Sequence, residues 1–209
     1  MKICDTVNSK LYKNDRAILH SDCNCFYASV ECLLNPNIRD LPVAVSGDAE
    51  NRHGIILAKN EEAKKYNIKT GEAIWQAKKK CPQLLTVPAR LDVYKKFSDK
   101  VRRIYSDYTD MVEPFGLDEA WLDISEDYKN DALTIAKEIS QRVKDEIGIT
   151  VSIGASFNKI FAKLGSDYRK PDATTVISRE NWQHIVWPLP VGDLLFVGSA
   201  ARKLLHQYG

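Results

Sequence analysis

Two adjacent acids, Asp118 and Glu119, lie between two short apolar stretches in residues 113–124, which read EPFGLDEAWLDI. The flanking stretches, residues 111–115 and 120–124, have the length of β-strands, so the segment predicts a hairpin with two carboxylates at a tight turn. Carboxylates presented in this way are candidate ligands for hard divalent cations, which proteins hold with one or two carboxylates together with substrate phosphates. Adjacent acids at a turn are more often only a solvated surface, and the choice between these readings depends on the rest of the chain.

A third acid, Asp22, has a similar setting far upstream. It follows the apolar run Ala17, Ile18 and Leu19 and precedes the sequence FYASVE. Residues 16–22 are therefore predicted to form a buried strand, followed by a helix over residues 26–35 that ends before a proline. Acids from two strand ends could converge on one metal site.

The rest of the chain alternates short strands and helices. The further predicted strands are residues 42–47, 54–58 and 150–155. The further predicted helices are residues 60–66, 73–81, 93–108 and 135–147, the last two from apolar residues at helical spacing. The order strand, helix, hairpin, helix, strand predicts an α+β fold of the ferredoxin-like type, with helices on one face of an antiparallel sheet.

The composition fits one or two packed cores in a reducing compartment. Hydrophobic residues make up 44% of the 209 residues, and residues 1–16 contain no signal-peptide-like apolar segment. No stretch reaches the roughly 20 apolar residues of a membrane helix, so we expect a cytoplasmic protein without a membrane partner. Five cysteines, an odd number, fit free thiols. A zinc site that joins Cys23 and Cys25 to Cys32, Cys81 or His20 is disfavoured because the sequence contains no Cys-x-x-Cys pair.

The charge balance does not by itself indicate a nucleic-acid partner, because the formal net charge is only +2. Basic residues nevertheless gather in two segments. They are Lys78, Lys79 and Lys80 in the first and Arg90, Lys95, Lys96, Lys100, Arg102 and Arg103 in the second. A solvated helical face is the usual reading of such a cluster, and the alternative is that these groups neutralise phosphates.

Three motif blocks resemble one protein family in the right order. They are HSDCNCFYASVE at 20–31, FGLDEAWLDIS at 115–125 and NKIFAKLGSDYRKPD at 158–172. Together they are similar to the Y-family translesion DNA polymerases, most nearly the bacterial polymerase IV-like branch, and the resemblance covers essentially the whole chain. It implies an error-prone, template-directed polymerase with primer-template DNA and deoxynucleoside triphosphates as substrates.

The resemblance also implies a division into domains. Residues 1–25 and 90–177 would form the polymerase palm, 26–89 an inserted small fingers domain, and 178–209 the start of a helical thumb. Within the last segment, residues 189–198 and 200–208 resemble a helix-hairpin-helix, whose backbone amides could contact a DNA phosphate; an ordinary helical hairpin is the alternative. Family members continue with the rest of the thumb, a DNA-clasping domain and, usually, a sliding-clamp peptide, so an N-terminal fragment is expected.

By position in these motifs, Asp22, Asp118 and Glu119 would be the catalytic carboxylates. They would hold two Mg²⁺ ions together with the backbone carbonyl of Cys23, since a two-metal site stabilises both the attacking and the leaving oxygen of phosphoryl transfer. Asn24 stands where an aspartate is common, but that position is not one of the expected side-chain ligands.

The resemblance further implies a nucleotide site. Tyr27 would be the steric gate that excludes a 2′-hydroxyl, and Phe26 would stack nearby, although both rings could instead belong to the core. Lys170 and Lys64 would contact the triphosphate, with an ordinary surface lysine as the alternative for each.

Two residues depart from the family pattern where many members bond the triphosphate. Ala58 and Glu61 replace a threonine and a tyrosine. Either Glu61 turns away, with Lys59 or Lys64 compensating, or nucleotide affinity is weak. Two other functions remain open: a catalytically weak DNA-binding or regulatory relative, and a nucleotidyl cyclase, which shares a palm with paired acids.

Overall fold

A computed structural model of the chain describes residue 11 and residues 15–47, 54–126 and 131–208. The strands of this described part are β1 Ile18–Cys23, β2 Val43–Ser46, β3 Ile56–Lys59, β4 Leu85–Pro88, β5 Val112–Phe115, β6 Glu119–Asp123, β7 Val151–Ser156 and β8 Thr174–Ile177. Its α-helices are α1 Phe26–Leu34, α2 Glu61–Lys64, α3 Ile74–Lys80, α4 Leu91–Ser106, α5 Ala132–Ile147, α6 Lys159–Tyr168, α7 Trp182–Val186 and α8 Ser199–Leu205.

The chain divides into two compact units. The first comprises residues up to Asp22, Arg102–Glu146 and Thr150 onward, and the second comprises Cys23–Val101 with Ile147–Ile149. Each unit has its own β-sheet.

The sheet of the first unit has the order β5-β6-β1-β7-β8. Its first four strands follow the ferredoxin-like order, and β6 is antiparallel to both β1 and β5, so the predicted α+β fold and hairpin are confirmed. The prediction of a wholly antiparallel sheet is wrong at one edge, because β8 pairs in parallel with β7. The two strands are joined through α6, and parallel neighbours need a crossover connection of this kind.

The sequence predicted helices on one face of this sheet, but the helices of this unit lie on both faces. On one face, Ser166 of α6 contacts His20 of β1 at 2.8 Å. On the other face, Tyr105 of α4 bonds the neighbouring Ser21 at 2.8 Å. Successive residues of a strand point to opposite faces, so both faces are covered at β1. Every residue of β1 and of β7 is accordingly buried.

The second unit contains a smaller mixed sheet of order β3-β2-β4. Strand β4, which the sequence analysis did not predict, pairs in parallel with β2. Asn60 organises the entry to α2, because its side-chain oxygen accepts hydrogen bonds from the amides of Ala63 at 2.9 Å and Val43 at 3.0 Å. The helices predicted over 60–66 and 73–81 are confirmed as the shorter α2 and α3.

The longest helices of the described residues are α4 and α5, each with 16 residues. Ile135, Ile139 and Val143 of α5 are buried at the spacing that predicted the helix. No helix in the described ranges has both the length and the hydropathy needed to cross a membrane.

The final segment differs from the predicted pair of helices. Its first helical part is only a 3₁₀ turn, Val191–Asp193, and α8 is the one α-helix that follows. Pro190 and Gly192 account for this, since proline fits only the first turn of a helix and glycine weakens its interior. The proposed contact with DNA stays a prediction.

Candidate active site

Asp22 and Glu119 lie at paired positions on neighbouring strands. The register of β1 against β6 sets Asp22 opposite Glu119. Side chains at paired positions share one face of a sheet and lie within a few ångströms of each other. Strand pairing therefore brings together two carboxylates that are far apart in the sequence.

Asp118 lies in the turn that joins β5 to β6. Gly116 adopts a φ of 79° there, a left-handed conformation that favours glycine. A Cβ at Gly116 would lie 3.5 Å from the Asp118 carboxylate, an ordinary van der Waals contact, so the φ angle and not the space favours glycine. The turn thus holds a second carboxylate next to Glu119.

Two lysines form ion pairs with these acids. The ammonium of Lys163, on α6, lies 3.2 Å from Asp22 and 2.9 Å from Glu119. Lys170, which the sequence predicted as a triphosphate contact, lies 2.5 Å from Asp22 and 2.7 Å from Asp167. Lys163 is not among the site residues expected from the sequence. The signal was present, because Lys163 and Asp167 are four residues apart in a helical motif block and form an ion pair at 3.3 Å.

The environment separates the proton affinities of the three acids. Burial raises the pKa of Asp22, against the lowering effect of Lys170. Burial and the charge of Glu119 raise the pKa of Asp118. Burial alone would raise the pKa of Glu119 as well, but the close contacts with His20 and Lys163 outweigh it and lower that pKa. Glu119 is therefore the carboxylate most firmly held as an anion.

His20 lies fully buried behind Glu119 on the same face of the sheet. Its Nδ1 is 2.8 Å from the Ser166 hydroxyl, and its Nε2 is 3.3 Å from the Glu119 carboxylate. The edge of its ring meets Trp121 with 4.9 Å between centroids. These contacts fix the imidazole, which in turn limits the positions open to Glu119.

The donor chemistry fits a hard divalent cation. Asp22 and Glu119 at paired positions, with Asp118 beside them, offer only oxygen ligands, which such cations prefer. Two ammonium groups already bind these carboxylates, so positive charge is what the site accepts. Among the described residues, these three acids do not form a preassembled group of metal ligands, so the fit rests on the oxygen chemistry of their side chains. Cys23, whose backbone carbonyl was expected as a further ligand, is buried.

The predicted gate residues lie at the start of α1 in the second unit. Phe26 is 3% exposed and packs as a core residue, with its ring centroid 5.6 Å from that of Tyr27. Tyr27 stacks on Tyr94 with 4.3 Å between centroids. Tyr94 is not among the residues expected from the sequence to support the gate. Its position in the first turn of α4 does fit the spacing of apolar residues along that helix, where it is buried.

The residues that depart from the family pattern form their own cluster in this unit. Glu61 binds Lys64 at 2.7 Å and accepts a hydrogen bond from the Cys25 thiol at 3.2 Å. Lys59 instead donates to Thr70 at 3.1 Å. The carboxylate of Glu61 therefore neutralises Lys64, one of the two lysines expected to compensate for it.

Comparison with known proteins identifies the family. A family model described as impB/mucB/samB matches residues 21–167, which include Asp22, Asp118 and Glu119. This match covers more than half of the chain, and the chain belongs to that family. The similarity to Y-family translesion DNA polymerases inferred from the three motif blocks is confirmed.

Curated relatives and solved structures agree. The chain is 57% identical over 194 residues to DNA polymerase IV of Acetivibrio thermocellus, covering 92% of this chain and 49% of the relative. It is 41% identical over 202 residues to DNA polymerase IV of Moorella thermoacetica, covering 95% and 50%. The insertion ternary complex of Dbh DNA polymerase has a TM-score of 0.86 at 28% identity, and the match covers 92% of this chain and 58% of that structure's chain. The crystal structure of DinB from Sulfolobus solfataricus has a TM-score of 0.84 at 29% identity, covering 92% and 57%. The chain spans about half the length of these curated relatives.

Proposed function

We propose that the protein is a template-directed DNA polymerase of the error-prone translesion type. It would add deoxynucleotides to the 3′ end of a primer paired to template DNA. The observation that carries this proposal is the pairing of Asp22 with Glu119 on neighbouring strands, inside the segment that the family model matches. Relatives named DNA polymerase IV and a neighbour solved as an insertion ternary complex support it.

Asp22, Asp118 and Glu119, with the backbone carbonyl of Cys23, would hold two Mg²⁺ ions. When bound, such ions stabilise the attacking and leaving oxygens of phosphoryl transfer. The chain's own contribution is to keep the carboxylates at one end of the paired strands β1 and β6. The contacts of Glu119 with His20 and Lys163 lower its pKa and so keep it ionised. Lys163 and Lys170 offset the repulsion between the acids.

The family resemblance also implies residues that bind the nucleotide. We assign Tyr27 as the gate against the 2′-hydroxyl, Phe26 as its packing partner, and Lys64 and Lys170 as triphosphate contacts. In this assignment Lys170 exchanges its ion pair with Asp22 for one with phosphate. Residues 1–25 and 90–177 would serve as palm, 26–89 as fingers and 178–209 as the start of the thumb. A cytoplasmic location and a sliding-clamp partner stay predictions from the family resemblance.

The proposal is tested by primer extension with the full-length gene product. Four reactions, each with one deoxynucleoside triphosphate, are run on four templates that differ in the next base. A polymerase adds mainly the complementary nucleotide in each case and requires Mg²⁺. DNA binding without addition would favour the catalytically weak relative, and conversion of a triphosphate to a cyclic product without DNA would favour the cyclase.

A further inference from the structure

The proposed gate ring rests on a second aromatic ring that is itself held in place. Tyr27 stacks on Tyr94 with centroids 4.3 Å apart and ring planes inclined by 13°. Tyr94 is fully buried, and its hydroxyl donates a hydrogen bond of 2.6 Å to Glu31. The ring beneath Tyr27 is thus fixed both at its face and at its hydroxyl.

Glu31 is a buried carboxylate, 3% exposed, clamped by an arginine. Arg90 donates to one Glu31 oxygen from Nε at 3.0 Å and to the other from a terminal nitrogen. Such two-point pairs fix geometry as well as charge. A buried carboxylate without this partner would be costly, so Arg90 is what allows Glu31 to hold the hydroxyl of Tyr94.

The spacing of these residues explains how one clamp reaches the gate. Tyr27 and Glu31 are four residues apart on α1, so both point from one face of that helix. Arg90 and Tyr94 are also four residues apart, where the chain enters α4, and the Arg90 carbonyl accepts the amide of Tyr94 at 3.1 Å. The two pairs face each other, ring against ring and arginine against carboxylate.

We propose that Glu31 and Arg90 are positioning residues that act through Tyr94 to hold the ring of Tyr27, and that they thereby set the discrimination against ribonucleotides. This inference rests on the proposed role of Tyr27. The Tyr27 ring can exclude the 2′-hydroxyl of a ribonucleotide only if the ring keeps its position. Stacking alone allows two rings to shift parallel to their planes. The bond from Tyr94 to the clamped Glu31 removes that freedom.

The test compares single-turnover insertion of a deoxynucleotide and the matching ribonucleotide by the full-length gene product. Tyr94→Phe keeps the stack and removes the tether, whereas Glu31→Gln keeps an acceptor for Tyr94 and removes the charge that Arg90 clamps. Each is expected to lower the deoxy-to-ribo preference by about fivefold or more, the factor that corresponds to one buried hydrogen bond. A general folding defect would slow both insertions alike and cancel in this ratio.

Tyr105→Phe is the matched control. Tyr105 is also a buried tyrosine of α4, 2% exposed, and its hydroxyl bonds Ser21 at 2.8 Å without stacking on Tyr27. Its loss should cost similar stability and leave the sugar preference unchanged. Tyr27→Ala is the second reference, expected to remove most of the preference.

The outcomes distinguish a failure of the positioning role from a failure of the gate assignment. If Tyr27→Ala loses sugar discrimination while Tyr94→Phe and Glu31→Gln match Tyr105→Phe, the positioning role is wrong and the gate stands. If Tyr27→Ala keeps full discrimination, the gate assignment fails, and this inference fails with it. Arg90→Lys, which keeps the charge but cannot make the two-point contact, should weaken discrimination as well.

Discussion

The contact between β7 and α6 is so close that one added methyl group should disturb both the fold and the acidic site. A Cβ at Gly154 would lie 1.9 Å from the carbonyl oxygen of Ala162 and 2.4 Å from the amide nitrogen of Ser166. These obstacles are backbone atoms, and Cβ contacts shorter than 3.0 Å essentially never occur. Gly154→Ala would therefore force α6 away from the sheet by about 1 Å or more.

Two effects of this substitution oppose each other. Overpacking of a filled site costs about 1–3 kcal/mol and occasionally more, and the upper end applies because backbone cannot rotate aside. Replacing glycine restricts the unfolded chain and returns about 0.4–1 kcal/mol. The net loss is about 2 kcal/mol or more, which corresponds to a fall in melting temperature of roughly 4–8 °C for a chain of this size. The displaced helix carries Lys163, so its ion pairs with Asp22 and Glu119 should weaken as well.

Thermal and urea unfolding of Gly154→Ala, beside Gly47→Ala, measures this cost. A Cβ at Gly47 meets nothing within 4 Å, so that variant should melt within about 0.5 kcal/mol of wild type. If Gly154→Ala melts together with wild type and the control, then α6 does not pack on β7 at this distance, and the reasoning fails.

Two further predictions concern charge. Glu61→Gln should free Lys64 and lower KM for the incoming nucleotide by about twofold to fivefold, the range expected for a partly exposed ion pair. Glu62→Gln is the control, because it breaks the similar ion pair of Glu62 with Lys65 and should leave KM unchanged. Equal effects of the two variants would refute a specific role for Glu61. Asp22→Asn, in chelator, should be more stable than wild type near pH 7. Burial raises the pKa of Asp22 in the folded state above the ordinary carboxyl value near 4. Ionisation of Asp22 at neutral pH therefore lowers the free energy of unfolding, and this loss disappears as the pH falls below about 4, where Asp22 is protonated in both states. Urea titrations at pH 4 and 7 that show a constant difference would contradict this.

Most elements of the fold could be predicted because their signals are local. The β5–β6 hairpin follows from two apolar runs around an acidic turn, and α5 from apolar residues every three to four positions. Strands β4 and β8 have four residues each, with little alternation, and are defined by parallel partners distant in sequence. Their pairing is a tertiary property that local pattern does not carry.

The candidate site divides in the same way. Asp22 and Glu119 could be expected together because each lies at a predicted strand end. The ion pairs of Lys163 and Lys170 with Asp22 could not, since they join α6 and the chain beyond it to β1. The ion pair of Arg90 with Glu31 could not be predicted either. Nothing in the sequence shows that the face of α1 with Glu31 lies against the start of α4 with Arg90.

The central claim is that carboxylates on two paired strands carry out nucleotidyl transfer, and single-turnover nucleotide insertion in Mg²⁺ by Asp118→Ala and Glu119→Ala tests it most directly. The full-length gene product is compared with each variant, and a thermal melt of each accompanies the kinetics. We predict that insertion is lost in both variants. Asp118→Ala should melt close to wild type, because removing that acid relieves its repulsion with Glu119 and empties no core. Glu119→Ala should still fold but melt at a lower temperature, because it gives up the contacts of Glu119 with His20 and Lys163. Near-normal insertion by both variants would contradict the account.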